Sequence, residues 1–302
     1  MVTGKRGWGA WLYVLPALIL LALFLVLPTF QTFWLSLHGG TGFDPTEFVG
    51  LDNYVQLLTS DRFFLDLQEW PPSGALVNNV LWLLFFTSGT LSLGLLIAVL
   101  ADRVRYESIL KAVIFVPMVI SATAASVIFR FVYSADSTVG AVNAVLTRAI
   151  PNFEPIPWLG RTSLVNLALI GAGIWIWTGL AMTVLSAAYK SLAREVLEAA
   201  AVDGANQWQT FWRITLPMLS HPLAVVAITM VINSLKMLDL VLVMTAGGPR
   251  NASRTIAFTV FWEVFNNSLA GYGSAVAVIL LILIAPIIVI QIRRFRAEEA
   301  LR

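Results

Sequence analysis

The chain has 302 residues, of which 58% are hydrophobic and only 12% charged, and its mean hydropathy is +0.82. Soluble domains carry roughly 25% charged residues, so this composition excludes an ordinary soluble fold and predicts a membrane protein. The net charge of +2 is too small to indicate a nucleic-acid partner, and the absence of cysteine excludes disulfides and thiolate metal sites.

Six stretches are apolar over about 20 residues or more, the length that a helix needs to cross roughly 30 Å of hydrocarbon. The first follows Lys5 and Arg6 but is longer than the apolar core of a signal peptide, so we expect an uncleaved anchor. Pro117 and Pro286 predict kinks within two of the spans. The predicted fold class is all-α: a polytopic membrane protein with six transmembrane helices in a single domain over residues 1–302. The spans are predicted at about 11–37, 75–100, 109–133, 164–189, 223–245 and 272–292.

Two of the outer connections between spans contain apolar residues near helical spacing. Leu51 to Leu67 and Val139 to Ile150 are each predicted to include a helix lying at the membrane surface.

Lys and Arg residues in the connecting loops predict the orientation, because they accumulate on the cytoplasmic side. If the N-terminus is inside, the inner loops hold twice as many of these residues as the outer loops, so both termini are predicted to be cytoplasmic. The inner set is Lys5, Arg6, Arg103, Arg105, Lys111, Lys190, Arg194, Arg213, Arg293, Arg294, Arg296 and Arg302. The outer set is Arg62, Arg130, Arg148, Arg161, Arg250 and Arg254.

The longest predicted inner loop lies between spans four and five and contains strong helix signals. Arg194–Val202 is rich in alanine and glutamate, and Gly204 is suited to the left-handed turn that ends such a helix. A second short amphipathic helix follows, with Trp208 and Trp212 near one face, and Pro217 is expected to close it. Two short helices joined by a tight turn form a stiff projection that can dock in a groove of a soluble partner.

Seven residues of this loop fit the pattern Glu-Ala-Ala, three residues, Gly, nine residues, Ile-x-Leu-Pro. They are Glu198, Ala199, Ala200, Gly204, Ile214, Leu216 and Pro217. The pattern resembles the "EAA" signature of binding-protein-dependent ABC importer permeases. Asp239 and Met244–Pro249 are similar to the carbohydrate-importing branch, although Ala246 stands where glycine is commoner. The closing Ile292-Arg-Arg-Phe-Arg-Ala most resembles α-glucoside permeases.

The resemblance implies a type I ABC importer permease fold with a cytoplasmic coupling helix in the inner membrane. Its partners would be a second permease subunit in a heterodimer, two ATPase subunits and an extracytoplasmic sugar-binding protein. ATP and Mg would be bound by the ATPases, since this chain has no phosphate-binding loop and needs no cofactor of its own. The coupling loop, residues 190–220, would contact the ATPases through Glu198, Ala199, Ala200, Asp203, Gly204, Ile214, Leu216 and Pro217.

Polar and aromatic residues within spans four and five are candidates for the substrate path. Ionisable groups in a span are costly and usually face a cavity or a partner, and indoles can stack on sugar rings. The alternative for Lys236 and Asp239, three residues apart, is a neutral pair that holds helices together, and the tryptophans could instead pack against lipid or the second permease. The candidates are Trp175, Trp177, Thr178, Asn233, Ser234, Lys236, Met237 and Asp239.

The predicted function is the permease subunit of an ATP-driven importer of an α-glucoside or other oligosaccharide, moved by alternating access. Glycerol-phosphate or polyol is the alternative substrate class. A membrane-embedded enzyme would need a cluster of catalytic acids or histidines, and the spans offer only Lys236 and Asp239. A self-sufficient secondary transporter usually has more spans or inverted repeats.

Overall fold

The structure is a computed structural model that describes residues 9–68, 72–102 and 104–300. It is mostly helical. Helix α1 comprises Gly9–Leu21, a π-helical turn Ala22–Val26 and Leu27–Ser36; α2 is Asp52–Thr59; α3 comprises Ala75–Leu81, a π-helical turn Trp82–Phe86 and Thr87–Ala101; α4 is Glu107–Val119; α5 is Ala122–Val132; α6 is Ala141–Ala149; and α7 is Val165–Lys190. Helix α8 is Arg194–Val202; α9 comprises Gln207–Thr210, a π-helical turn Phe211–Thr215 and Leu216–Met218; α10 is Ser220–Leu235; α11 is Asp239–Met244; α12 comprises Ile256–Phe261 and a π-helical turn Trp262–Asn266; and α13 is Ala270–Ala300.

Within the part of the chain that the structure describes, four helices are long and apolar enough to cross a membrane, and two bent pairs raise the number of candidate spans to as many as six. The four are Leu12–Ser36, Ala75–Ala101, Val165–Lys190 and Ala270–Arg293. The bent pairs are α4 with α5 and α9 with α10. The all-α membrane fold class predicted from the sequence is therefore confirmed.

The predicted third span is not one helix over 109–133. Helix α4 ends at Val119, two residues after Pro117, and α5 leaves at 100° to it. Ser121 accepts a hydrogen bond from the N–H of Ala124 and so caps the new helix. Pro117 is thus followed by a break rather than by a kink, whereas helix α13 continues through Pro286.

The predicted fifth span, 223–245, is also divided. Helix α10 ends at Leu235, residues Lys236 to Leu238 are not helical, and α11 begins at Asp239. Lys236 and Asp239 consequently do not share one helix face, and among the residues that the structure describes Lys236 forms no ion pair. The alternative in which these two residues pair on one helix face therefore does not apply.

The chain forms two compact units, and each is described by itself. The first contains residues up to Asp61 and Thr259–Ile282. In it the short strands β1 (His38–Gly39) and β2 (Glu47–Phe48) pair in antiparallel fashion. Asn53 ties this hairpin down by donating to the carbonyls of Ser36 and His38 at 2.9 and 3.0 Å. A single domain over 1–302 stays a prediction.

The second unit, Arg62–Phe258 and residues from Leu283, is a helical bundle built around α7. Close approach of α3 and α4 to α7 depends on glycine. A Cβ at Gly94 would lie 2.6 Å from the Cβ of Ala181, and one at Gly179 would lie 2.7 Å from the carbonyl oxygen of Ile114. Small residues at such contacts let helix backbones pack closely where lipid provides no hydrophobic force.

Helix α6 lies in a connection that side chains hold in place, and it confirms the helix predicted within Val139 to Ile150. Asn143 is fully buried; its amide donates to the carbonyls of Ser134 and Ile156, and its Oδ1 accepts from the Ile156 N–H and the Trp158 indole.

The turn before α6 is held by Asp136. Hydrogen bonds from the N–H and hydroxyl of Thr138 lower the pKa of Asp136 below its ordinary value.

Candidate functional site: the coupling loop and the broken fifth span

The coupling loop folds into two helices joined by a tight turn, as its sequence predicts. Gly204 has a φ of +80° and follows the last residues of α8. The N–H of Ala205 donates to the carbonyl of Ala200 at 3.0 Å, and the N–H of Gly204 donates to Ala201 at 3.1 Å. These two bonds make a Schellman motif, which satisfies carbonyls that the end of a helix would otherwise leave open.

A capping box begins α9 directly after this turn. Asn206 Oδ1 accepts from the N–H of Gln209, and Gln209 Oε1 accepts from the N–H of Asn206, both at 2.9 Å. The two motifs leave only Ala205 and Asn206 between the turn and the next helix, so the connection has little freedom. Asn206 and Gln209 stand at the spacing of a capping box, and this signal in the sequence could have predicted the start of α9.

The signature residues of the loop divide by burial. Glu198, Ala199, Asp203 and Gly204 are exposed at the end of α8, whereas Ala200 is buried. Farther along, Ile214 and Leu216 are half-buried, and Pro217 is exposed. The end of α8 therefore presents a surface on which the carboxylates of Glu198 and Asp203 are accessible.

An ion cluster ties the helix before the coupling loop to the start of α4. Lys190 Nζ lies 2.7 Å from Oε1 of Glu107, and Lys111 contacts both Glu107 and Ser186. Lys190 is the last residue of α7, so this cluster fixes the point from which the coupling loop departs. It is partly exposed, and its net contribution to stability is expected to be small.

The candidate path residues lie on helices that pack together within the second unit. Helix α11 contacts α5 and α7, and α10 contacts α3 and α7. Trp175 on α7 is 42% exposed, and its ring meets Phe129 of α5 at a centroid distance of 5.2 Å in an edge-on arrangement. Lys236 and Asp239 are exposed at the break in the fifth span, and Met237 between them is buried.

The other candidates are less accessible. Asn233 and Trp177 are half-buried, and the amide of Asn233 donates to the carbonyl of Thr229. Ser234 and Thr178 are buried, and each hydroxyl donates to a carbonyl of its own helix, Val231 at 2.7 Å and Ile174 at 2.6 Å. The two buried hydroxyls thus have partners within the chain.

Side chains from outside the fifth span stabilise its break. Thr255 Oγ1 donates to the carbonyl of Met237 at 2.8 Å, and Asn79 Nδ2 approaches the carbonyl of Ser234 at 3.4 Å. Asn79 Oδ1 also accepts from the N–H of Ile256 at 2.7 Å. Backbone groups outside a helix need such partners where no water is available to hydrogen-bond with them.

Asparagines also hold the loop that follows α11. Asn78 Nδ2 donates to the carbonyls of Ala252 and Arg254 at 2.9 and 2.8 Å, and Asn166 Nδ2 donates to Asn78 Oδ1 and to Ala252. The guanidinium of Arg254 is buried over the rings of Phe63 and Phe258, so this cation is not a solvated loop charge. Sequence reasoning missed Asn78, Asn79 and Asn166, since nothing in their spacing indicates which distant carbonyls they meet.

The family model "Binding-protein-dependent transport system inner membrane component" matches residues 90–295, which include the coupling loop and the broken span. The chain belongs to this family. It is a transport component rather than an enzyme, and it is a multi-pass protein of the inner membrane. The family predicted from the EAA signature is thereby confirmed.

Relatives of known description cover nearly the whole chain. The osmoprotective compounds uptake permease protein GgtC of Synechocystis sp. is 46% identical over 96% of this chain and 100% of its own length. The alpha-glucoside transport system permease protein AglF of Rhizobium meliloti is 38% identical over 96% of this chain and 83% of its own. Among solved structures, a bacterial ABC transporter involved in the import of the acidic polysaccharide alginate matches with a TM-score of 0.76. That match covers 97% of this chain and 96% of the other at 20% identity, and it supports the fold.

Proposed function

We propose that this permease is one of two membrane subunits of an ATP-driven ABC importer for an α-glucoside or another small oligosaccharide. The observation that carries the substrate class is the 38% identity to an alpha-glucoside permease over 96% of the chain. The exposed Trp175, Lys236 and Asp239 support it, because indole faces stack on sugar rings and charged groups hydrogen-bond to hydroxyls.

The partners in this proposal are a second permease subunit, two ATPases that bind ATP and Mg, and an extracytoplasmic sugar-binding protein. Both termini and the coupling loop lie in the cytoplasm, as the distribution of Lys and Arg predicts. The exposed surface of Glu198, Ala199, Asp203 and Gly204 docks in the cleft of an ATPase. Ala200 is buried beneath this surface and supports it by packing against the rest of the chain.

Motion of the coupling loop reaches the substrate path through α9 and α10, which connect the two. The Schellman turn and the capping box make the coupling loop stiff, so a displacement of α8 moves α9 and α10 instead of being absorbed. The break at Lys236 to Leu238 lies at the far end of α10. We assign the path to Trp175, Trp177, Asn233, Lys236 and Asp239, with Thr178, Ser234 and Met237 as buried residues that position them.

A second candidate substrate class is an osmoprotective compound. The 46% identity to an osmoprotective compounds uptake permease favours it. Such solutes are polar, so a path with hydrogen-bonding groups such as those of Asn233 and Asp239 suits them as well as it suits a sugar. Glycerol-phosphate or a polyol remains the alternative outside these two classes.

Reconstitution with the cognate permease, ATPases and binding protein in lipid nanodiscs tests the function. The ATPase rate is measured with maltose, trehalose, sucrose, a polyol, glycerol-phosphate and a neutral osmoprotectant, each with the binding protein present. Stimulation by α-glucosides supports the proposal, and stimulation by the osmoprotectant alone favours the second candidate. Stimulation by glycerol-phosphate alone would overturn both.

A matched pair of variants tests the path. Asp239→Asn should lower substrate-stimulated ATPase activity and uptake together, because it removes an exposed acceptor at the break. Asp44→Asn changes an equally exposed acid in the loop after β1 and should leave both unchanged. Equal effects of the two variants would remove Asp239 from the path.

A further inference from the structure

Two exposed tryptophans stand one turn apart on α9, at the base of the coupling loop. Trp208 is 70% exposed and Trp212 is 49% exposed, and their rings meet edge-on at a centroid distance of 5.6 Å. Farther along the same stretch the chain packs on the protein, since Thr215 and Leu219 are buried. Tryptophan rarely presents this much indole surface to water without a partner.

The direction of α9 places this indole face near the membrane surface. Helix α10 forms the first part of the predicted fifth span, and α9 meets it at 69° with only Leu219 between them. If α10 runs along the bilayer normal, α9 lies about 20° from the membrane plane, and the average tilt of spanning helices is of the same size. A helix in this position borders the lipid headgroups along its length.

Helices α8 and α9 differ in charge. Residues 206–221 contain Arg213 and His221 and no Asp or Glu, whereas α8 and its turn contain three acids, Glu195, Glu198 and Asp203, against one cation, Arg194. Anionic headgroups attract the first segment and repel the second. Tryptophan with nearby arginine is also the composition typical of membrane interfaces, where the indole ring lies at the level of the headgroups.

We propose that the Trp208–Trp212 face of α9 binds the headgroup region of the lipid bilayer. The coupling loop then has two surfaces with different partners: the acidic end of α8 for a soluble protein, and the indole face of α9 for lipid. The lipid contact holds the base of the loop at a fixed depth, so that motion of α8 turns α10 instead of lifting the whole loop. This lipid contact requires only that the fifth span crosses the membrane. It does not depend on which side of the membrane the coupling loop lies.

Site-directed spin labelling tests the proposal directly, because the chain has no native cysteine. Trp208→Cys, Trp212→Cys and Met218→Cys each receive one label in the complete transporter in nanodiscs with anionic lipid. Met218 is 40% exposed on the same helix, and its label leaves both indoles in place. Val202→Cys, at 87% exposure on α8, is the control. The collision rates of each label with oxygen and with a water-soluble nickel chelate are measured.

Oxygen should exceed nickel chelate at positions 208, 212 and 218, as it does for labels in a bilayer, and the order should not reverse on adding substrate. Low accessibility to both reagents at 208 and 212 would mean a protein contact and would overturn the proposal. Higher nickel accessibility would mean an aqueous surface and would overturn it too. The Val202 label should show nickel accessibility or protection by the ATPase, and never the bilayer pattern.

A functional measurement separates anchoring from packing. Trp208→Ala with Trp212→Ala should lower uptake per ATP hydrolysed severalfold, whereas Trp208→Tyr with Trp212→Tyr should retain coupling, because tyrosine also favours the interface. Co-purification of the ATPases verifies assembly in each case. Equal loss in both double variants would contradict a lipid anchor. The result does not depend on which substrate is transported.

Discussion

The backbone of Gly204 is in the left-handed region, at φ +80°, and no atom lies within 4 Å of a Cβ built there. Substitution therefore strains the turn without causing a clash. We expect Gly204→Val to destabilise the Schellman turn by about 1–2 kcal/mol, because a left-handed backbone is costly for side chains with a Cβ and most costly for branched ones. ATPase activity should become less dependent on substrate in the reconstituted transporter.

Gly204→Asn is the matched control, since asparagine tolerates the left-handed conformation better than other residues. It should assemble and couple nearly as the parent does. A normal Gly204→Val transporter would mean that the turn does not need its present geometry, and the coupling role of the loop would lose its main support.

Asn78 offers a residue-scale test of the buried amide network. Asn78→Leu removes the donor to the carbonyls of Ala252 and Arg254 and the acceptor of Asn166. Ala252 still accepts from Asn166, so the carbonyl of Arg254 is the group that loses the donor provided by Asn78. A buried polar group left unsatisfied costs about 1–3 kcal/mol, and we expect a loss of that size. Thermal unfolding of the purified complex and protease cleavage within residues 245–255 measure it.

Asn78→Asp has nearly the same size but cannot donate, and its carboxylate would face two carbonyl oxygens. It should be at least as unstable as the leucine variant. If the aspartate variant retained full stability, the hydrogen bonds from Asn78 would not be what holds the loop, and packing would be the cause.

The local backbone conformation could be predicted from the sequence at the coupling loop, but not at the substrate path. Gly204 could be assigned a left-handed turn because glycine alone favours it, and the structure agrees. The spacing of Lys236 and Asp239 allows a pair on one helix face only if the helix is continuous, and the break between α10 and α11 removes that condition. The break that separates them depends on Thr255 and Asn79, which are distant in sequence. No local pattern reports such partners.

At the scale of elements, the contact of α3 with α7 depends on the absence of a side chain at Gly94. Gly94→Ala would place a Cβ 2.6 Å from the Cβ of Ala181 and 3.0 Å from the N of Met182. Overpacking of this kind costs about 1–3 kcal/mol, because both backbones are held by their own helices. We expect a lower unfolding temperature and a lower yield of assembled complex.

Ala181→Gly in the same chain is the matched rescue. It removes the atom that the new Cβ meets first, so the double variant should recover part of the stability that Gly94→Ala loses. Failure to recover any would place the damage in Gly94 itself or in its own helix rather than in the contact between the two helices.

The apolar stretches predicted the four uninterrupted candidate spans, but not the breaks within the predicted third and fifth spans. Hydrophobic length is a property of composition, and it persists across a break when most of the interrupting residues are apolar, as Ile120, Met237 and Leu238 are. The 100° bend between α4 and α5 and the interruption between α10 and α11 depend on tertiary hydrogen bonds and on packing. The start of α9, in contrast, is encoded locally by Asn206 and Gln209.

At the scale of the whole molecule, the proposed coupling needs the 190–220 loop to lie on the side of the membrane where ATP is available. The distribution of Lys and Arg predicts this, and the same rule places helix α6 on the opposite side, one span earlier. Because the chain has no native cysteine, a single engineered cysteine can show on which side of the membrane its helix lies. Val202 on α8 and Val145 on α6 are suitable, at 87% and 66% exposure.

We expect Val145→Cys to react with a membrane-impermeant maleimide in intact spheroplasts, whereas Val202→Cys should react only after the membrane is opened or inverted. The assay uses the complete transporter, and the cysteine-free parent is the control for background labelling. Docked ATPases should slow labelling of Val202→Cys and leave Val145→Cys unaffected, because only α8 lies in the proposed cleft. Labelling of Val202→Cys from outside would reverse the topology, and a nucleotide-driven partner could then not reach the EAA segment.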